Sequence, residues 1–255
     1  MPIPRSLRIG LLLVLLGSAV IVAVLKGEQW LAVRRAEGLL RRPLPAAISG
    51  ASMPMQRNAA LPLEVNLDVP FTSQAPLGTW DALHKEACEE AAAIMAIRYV
   101  FGTTFLDPDE ADAGIRNLVE TNAKKFGYSV DQTAAQLERL ILDVDPKIPV
   151  RLLPNPSVED LKAELAAGHV VIVPAAGRML GNPFYRTPGP LYHMLVLRGY
   201  TADGYFITND AGTKRGEGYL YPFALIMDAM HDWNAENIEQ GQKVVLVLEP
   251  LKMEN

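Results

Sequence analysis

Apolar residues run along the chain with changing period, and the changes divide it. Residues 9–25 are continuously apolar apart from Gly17 and Ser18, with Arg5 and Arg8 ahead of them. That run suits a membrane span, at the lower limit of roughly 17 to 25 residues. The alternative is a secretory signal peptide, whose apolar region covers roughly 7 to 15 residues before a small-x-small cleavage site. Lys26-Gly27-Glu28-Gln29 offers no such site, which favours an uncleaved signal anchor. Residues 29–42 interleave Trp30, Leu31, Val33, Leu39 and Leu40 with arginines, which fits either a helix on the membrane surface or a continuation of the anchor. Residues 43–64, with prolines at 43, 45, 54 and 62 and little periodicity, predict a linker holding the rest off the bilayer.

From residue 65 the chain reads as one folded domain extending to 255. A short strand over 65–69 leads into an irregular stretch broken by Pro70, Pro76 and the Gly78-Thr79-Trp80 turn. Residues 89–101 then read as an alanine-rich helix stopped by Gly102. Asp107-Pro108-Asp109-Glu110 opens a helix to about residue 125, with a cap, a proline in its first turn and acidic residues beside it. Further helices are predicted over 131–142 and, capped by Ser157, up to 167; strands are predicted over 148–153 and 170–173. After 191 the pattern becomes β: strands over 191–200 and 204–208 flank the Ala202-Asp203-Gly204 turn. A short strand at 219–221, a helix over 222–233 and a strand over 243–248 follow. Helices first and an antiparallel sheet second is an α+β layout.

Charge changes this picture in one respect. Residues 1–42 carry seven basic and two acidic side chains, which leaves 17 basic against 27 acidic beyond them. An acidic globular part argues against nucleic acid as a partner. Orientation is contested: Lys26, Arg34, Arg35, Arg41 and Arg42 compete with Arg5 and Arg8 under the positive-inside rule. The short basic head before a first apolar segment is export-signal layout, which points to an exported domain.

Cys88 is the only cysteine, so no internal disulfide can form. It stands where the irregular stretch meets a helix start, and the positive end of a helix favours a thiolate. Glu89, beside it, opposes that charge. Of the four histidines, His169 and His231 fit structural roles at element ends. His193 opens an apolar strand after the loop Thr187-Pro188-Gly189-Pro190. Antiparallel pairing around the Asp203-Gly204 turn brings residues 209–210 back beside it, so Asp210 can fix the tautomer of the imidazole. Asn209 is its rival for that role. A metal reading stands beside this one, because His84 and Cys88, four residues apart, share a helix face. It lacks a second cysteine, and neither a metal nor another cofactor is expected.

Val69-Pro70-Phe71-Thr72-Ser73-Gln74, Glu86-Ala87-Cys88-Glu89-Glu90-Ala91, Tyr192-His193-Met194 and Ile207-Thr208-Asn209-Asp210 together resemble the C39-like peptidases. These are cysteine hydrolases of papain-like fold related to bacteriocin-leader peptidases. The resemblance covers about residues 67–248. It implies a nucleophile helix packed on a C-terminal antiparallel sheet, with Cys88 as nucleophile, His193 as general base and acid, and Asp210 orienting His193. The Gln74 side-chain amide and the Cys88 backbone N–H would form the oxyanion hole. Two departures stand out: the gap from Gln74 to Cys88 is longer than in the leader peptidases, and no G-x-x-x-x-G-K-[ST] sequence marks a fused transporter ATPase. The expected protein is a membrane-anchored thiol hydrolase acting on a peptide or amide. Its rivals are an inactive module of the same fold, binding peptide or cell-wall material through Tyr185, Tyr192, Tyr219 and Trp233, and a thiol acyltransferase.

Overall fold

The structure is a computed structural model that describes residues 5–49, 60–127, 130–235 and 237–251, with only the backbone described for residues 5–17 and 19. The chain divides into two compact units, Met1–Arg42 and Pro43–Asn255.

The first unit is one continuous helix, α1 (Arg5–Leu40). The surface segment and the apolar run therefore share one axis, as the continuation reading expects. Val20, Ile21, Val24 and Leu25 are exposed, and the Arg34 guanidinium lies 5.2 Å from the centre of the Trp30 ring. Among the described residues no helix is long and apolar enough to cross a membrane. The side chains of residues 9–17, half of the predicted span, lie outside those described.

The second unit is built on a seven-stranded sheet. Its strands are β1 (Val65–Asn66), β2 (Val150–Pro154), β3 (Val170–Ala176), β4 (Tyr192–Tyr200), β5 (Tyr205–Asn209), β6 (Tyr219–Pro222) and β7 (Val244–Leu248). They run in the order β2-β7-β3-β4-β5-β6, every neighbour antiparallel, with β1 added on β4. β3, β4 and β7 are buried along their whole length, which explains their unbroken Val, Ile and Leu runs. The predicted succession of helices and then sheet is corrected here. β2 and β3 come from the helical half of the chain, and the C-terminal β7 inserts between them to satisfy both of their free edges.

The helices are α2 (Cys88–Val100), α3 (Pro108–Thr121), α4 (Ala134–Val144), α5 (Val158–Ala166) and α6 (Phe223–Ala229). Their starts follow local chemistry. The Asp107 carboxylate accepts from Glu110 N at 2.8 Å, and Thr133 with Gln136 and Ser157 with Asp160 form reciprocal capping boxes. Where tertiary bonds compete, the ends move. α6 stops before 233 because Met230 bridges to Ala175 and His231 N donates to the Pro174 carbonyl at 3.1 Å, tying the chain to β3. α3 continues into one π turn, Asn122–Phe126, before Gly127 reverses the chain at φ +70°.

The predicted linker is also different at its start. Ile48 pairs in parallel with Leu67, donating to Asn66 O and accepting from Asp68 N at 2.9 Å each, and Asn66 Nδ2 donates to Pro45 O at 2.8 Å. The Pro45 carbonyl and both backbone groups of Ile48 thus find partners in the domain. Residues 50–59 lie outside those described. Arg198 of β4 closes the same corner, donating to Asn66 Oδ1 at 3.0 Å and to the Val69 carbonyl at 3.3 Å. It is 6 % exposed and committed to these bonds.

Candidate active site

Cys88 begins α2, and its 13 residues, nearly all buried, pack against β3 and β4. Ala87 at the N-cap has no side-chain oxygen, so no cap competes for the first N–H groups. The Cys88 thiol is 6 % exposed and donates to Glu89 Oε2 at 3.1 Å. Burial pushes the thiol well above its ordinary range. The charge of Glu89 and the hydrogen bond to it add to that, while the nearby Met194 backbone N–H pulls the other way. The expected help from the helix start is therefore outweighed by desolvation and by a carboxylate one residue away. Glu89 is itself held: Gln132 N donates to its Oε1 at 2.9 Å. Glu90 accepts from Asn122 Nδ2 and from Gln132 Nε2, each at 2.6 Å.

On the other side of Met194 stands His193. The β4–β5 ladder begins at Val196 and Asn209, so His193 and Asp210 lie just past its end, on facing strands of one hairpin. His193 Nε2 lies 2.9 Å from Asp210 Oδ1. A carboxylate partner requires the proton on Nε2, which leaves Nδ1 as the acceptor of the neutral ring. Asp210 is fully buried and surrounded by donors. Gly212 N also reaches Oδ1, at 3.0 Å, while Tyr185 Oη, Tyr221 Oη and Asn182 Nδ2 reach Oδ2 at 2.6, 2.6 and 3.0 Å. Burial alone would raise this carboxyl, but the facing imidazole and the hydroxyl donors lower it to about 2. Both tyrosines are pushed well above their ordinary range by burial and by the Asp210 charge, so they stay protonated and donate. Gly212 is required here: a Cβ would stand 2.7 Å from the Tyr185 ring and 3.1 Å from the His193 ring.

Residues 66–237, more than half the chain, match the family model described as the Peptidase_C39 like family. The chain belongs to the C39-like peptidase family. A crystal structure from Bacillus anthracis described as a C39-like peptidase is similar at 17% identity, covering 75% of this chain and 99% of that one with a TM-score of 0.48. No curated protein matches the chain.

In this C39-like domain the structure brings His193 and Asp210 together directly. It joins Cys88 to them through Met194, the residue after His193. Among the described residues His193 Nδ1 has no hydrogen-bond partner, and the sulfur turns to Glu89 instead. Gln74 does not face an oxyanion position: its Nε2 donates to His84 O at 2.7 Å and Lys85 O at 3.2 Å, which occupies both amide hydrogens. Its role here is to fold the long loop ahead of Cys88, and that extra loop length is what supplies the competing carbonyls. Asn209 is likewise occupied. Its Nδ2 donates to the Val69 and Pro70 carbonyls at 3.0 and 3.2 Å, and among the described residues the hydrogen bond on the His193 ring is to Asp210 instead. His84 lies between Asp81 and Asp112, with Nδ1 and Nε2 at 2.8 and 2.7 Å from their carboxylates, so neither ring nitrogen turns to Cys88. Among the described residues no group of three or more His, Cys, Asp or Glu is arranged to hold a metal.

Sequence reasoning did not find Asn182 or Tyr221, and it placed Tyr185 in a groove instead of on the Asp210 carboxylate. The alternation Tyr219-Leu220-Tyr221 was the one available signal: the β5–β6 register sets Tyr219 opposite Thr208 and Tyr221 opposite Phe206. Asn182 gave none.

Proposed function

We propose that this chain is a membrane-anchored cysteine peptidase working through a Cys88, His193 and Asp210 triad and an acyl-enzyme. The observation that carries the reading is the His193–Asp210 pair at 2.9 Å, with the next residue of the same strand, Met194, turning its backbone N–H toward the neighbourhood of the Cys88 sulfur. The Cys88 thiol passes its proton to His193 Nδ1 as the sulfur attacks the peptide carbonyl, and the Cys88 backbone N–H, unpaired within its helix, stabilises the oxyanion. Asp210 holds His193 with Nδ1 directed to the reacting groups, where the ring protonates the leaving amine and then activates water for release of the acyl group. Cys88→Ala is expected to abolish cleavage of a fluorogenic peptide panel, and His193→Ala to reduce it by about 10²- to 10⁴-fold. Turnover unchanged in Cys88→Ala refutes the reading.

One observation favours an inactive module instead: the thiol is buried and donates to Glu89, and that burial holds it well above its ordinary range. Reaction of the sulfur with a small electrophile near neutral pH counts against that module.

The anchor is α1. Its support is the apolar run over residues 9–25 and the exposure of Val20, Ile21, Val24 and Leu25. The basic residues Arg5 and Arg8 ahead of the apolar run support an exported domain. The full chain is expected in the membrane pellet after an alkaline carbonate wash; recovery in the supernatant refutes anchoring.

A further inference from the structure

The loops beside the His193–Asp210 pair differ in charge from the rest of the domain. Residues 177–190 and 211–218 carry Arg178, Arg186, Lys214 and Arg215 against one acid, Glu217, although acids outnumber bases beyond residue 42. All four cations are exposed. Among the described residues Arg178, Arg186 and Lys214 have no ion-pair partner. The Glu217 charge acts on Arg198 instead, where it offsets part of the burial that lowers that guanidinium.

The two loops are bonded to the pair and to each other. Gly177 N donates to Leu191 O at 3.0 Å, and a Cβ on Gly177 would stand 3.1 Å from His193 Cβ. Arg178 follows at once. Its Cγ lies 3.9 Å from where a Cβ on Gly189 would stand, and the Tyr185 ring lies 3.6 Å from the same point. Gly189 N donates to Arg186 O at 2.7 Å, and the Tyr185 ring meets the His193 ring edge-on at 5.5 Å. Asp210 N donates to Gly216 O at 3.0 Å and so closes the second loop, whose Arg215 guanidinium lies 4.7 Å from the centre of the Phe184 ring. The cations thus form one rim on the imidazole side of the site. The Cys88 side has the opposite sign. Asp131, next to Gln132, is half-buried there, and burial and the Glu86 charge raise its carboxyl to about 6.

We propose that this rim binds carboxylates on the part of the peptide beyond the scissile bond, so that the enzyme selects acidic leaving segments. The inference rests on the triad reading above: His193 protonates the leaving amine, so the chain beyond that amine departs on the histidine side. An acidic segment meets complementary charge there and a basic one meets like charge. A side-chain carboxylate and the terminal carboxylate of a peptide share the chemistry, and a guanidinium can accept either in a fork. Exposed ion pairs are individually weak. The expected selection is therefore about three- to tenfold in kcat/KM for Glu over Lys after the cut.

The test uses the full chain in detergent and internally quenched peptides that differ only in carrying Glu or Lys after the cut, with the cut located by mass. Wild type should favour Glu by that factor, and less so as salt rises. Arg178→Ala with Arg186→Ala should bring the ratio within about twofold, and Arg178→Glu with Arg186→Glu should invert it. Amidating the peptide C-terminus separates the two sources. A preference that disappears belongs to the terminal carboxylate; one that survives belongs to the side chain. Equal cleavage of the Glu and Lys peptides by wild type, or a ratio unmoved in both double variants, overturns the inference. Binding of the same peptides to Cys88→Ala, read by fluorescence anisotropy, scores the rim without turnover. If nothing is cleaved and Glu peptides still bind this variant more tightly, the peptidase reading fails and the rim stands; equal binding overturns the rim.

Discussion

Two buried carboxylates flank the candidate dyad, and their opposite fates show what burial does and does not decide. Desolvation raises both. At Asp210, four donors and a facing imidazole outweigh it, and the carboxyl falls to about 2. At Glu89, one amide and one thiol face a second carboxyl nearby, and the group rises to about 8. The donors around a buried acid, more than its depth, set its charge. Linkage gives the two opposite signs. Asp210 contributes about 2 kcal/mol of stability, present above its ordinary value of 3.8 and lost as the pH falls toward about 2. Glu89 carries a penalty above about pH 8 that is relieved as the pH falls and the carboxyl takes up its proton.

The contrast can be broken most severely at Asp210 itself. Asp210→Asn keeps the shape but removes the charge that selects the Nε2–H tautomer of His193, and peptide turnover should fall by on the order of 10³- to 10⁴-fold. Activity within a few-fold of wild type would show that His193 needs no carboxylate. A subtler break removes one donor at a time. Tyr221→Phe leaves a buried charge one bond short, and urea unfolding should show a loss of about 1 to 3 kcal/mol at neutral pH. Its acid unfolding midpoint should move to higher pH as the Asp210 carboxyl rises. Tyr185→Phe should do the same less strongly, by about 1 kcal/mol, because Tyr185 is partly exposed and water can replace its hydroxyl. Equal effects from the two tyrosines would mean that solvent does not reach this side of the carboxylate.

Much of this was legible in the sequence wherever the cause is local. Asp107, Thr133 and Ser157 announce helix starts by their own side chains. His193 and Asp210 share one hairpin, so their meeting follows from pairing around a single turn. The early end of α6 and the stitching of Ile48 to β1 depend on partners distant in sequence, and no pattern near them says so. The donors of Asp210 come from three separate segments and were largely invisible for that reason. Glu89 was visible as a neighbour of Cys88, but consecutive residues of a helix interior do not normally face each other. Only in the first turn of α2 does the carboxylate fold back onto the sulfur. Gln74 shows the converse: a family pattern named its role, and local carbonyls in a lengthened loop took its amide.

Pro174, in the middle of β3, has a consequence of its own. It stands opposite Met194, and its carbonyl points away from β4 to accept from His231 N. Its ring nitrogen has no hydrogen to give, so this pairing must be one at which neither strand bonds the other. Met194 therefore turns its own N–H outward, which is how that group comes to lie near the sulfur. Sliding β3 by a single residue would set the proline at a bonded position and sever a rung there. The same slip taken by β4 would turn His193 to the opposite face of the sheet. One imino acid with no chemistry of its own thus acts as an alignment pin, keeping histidine and sulfur on speaking terms.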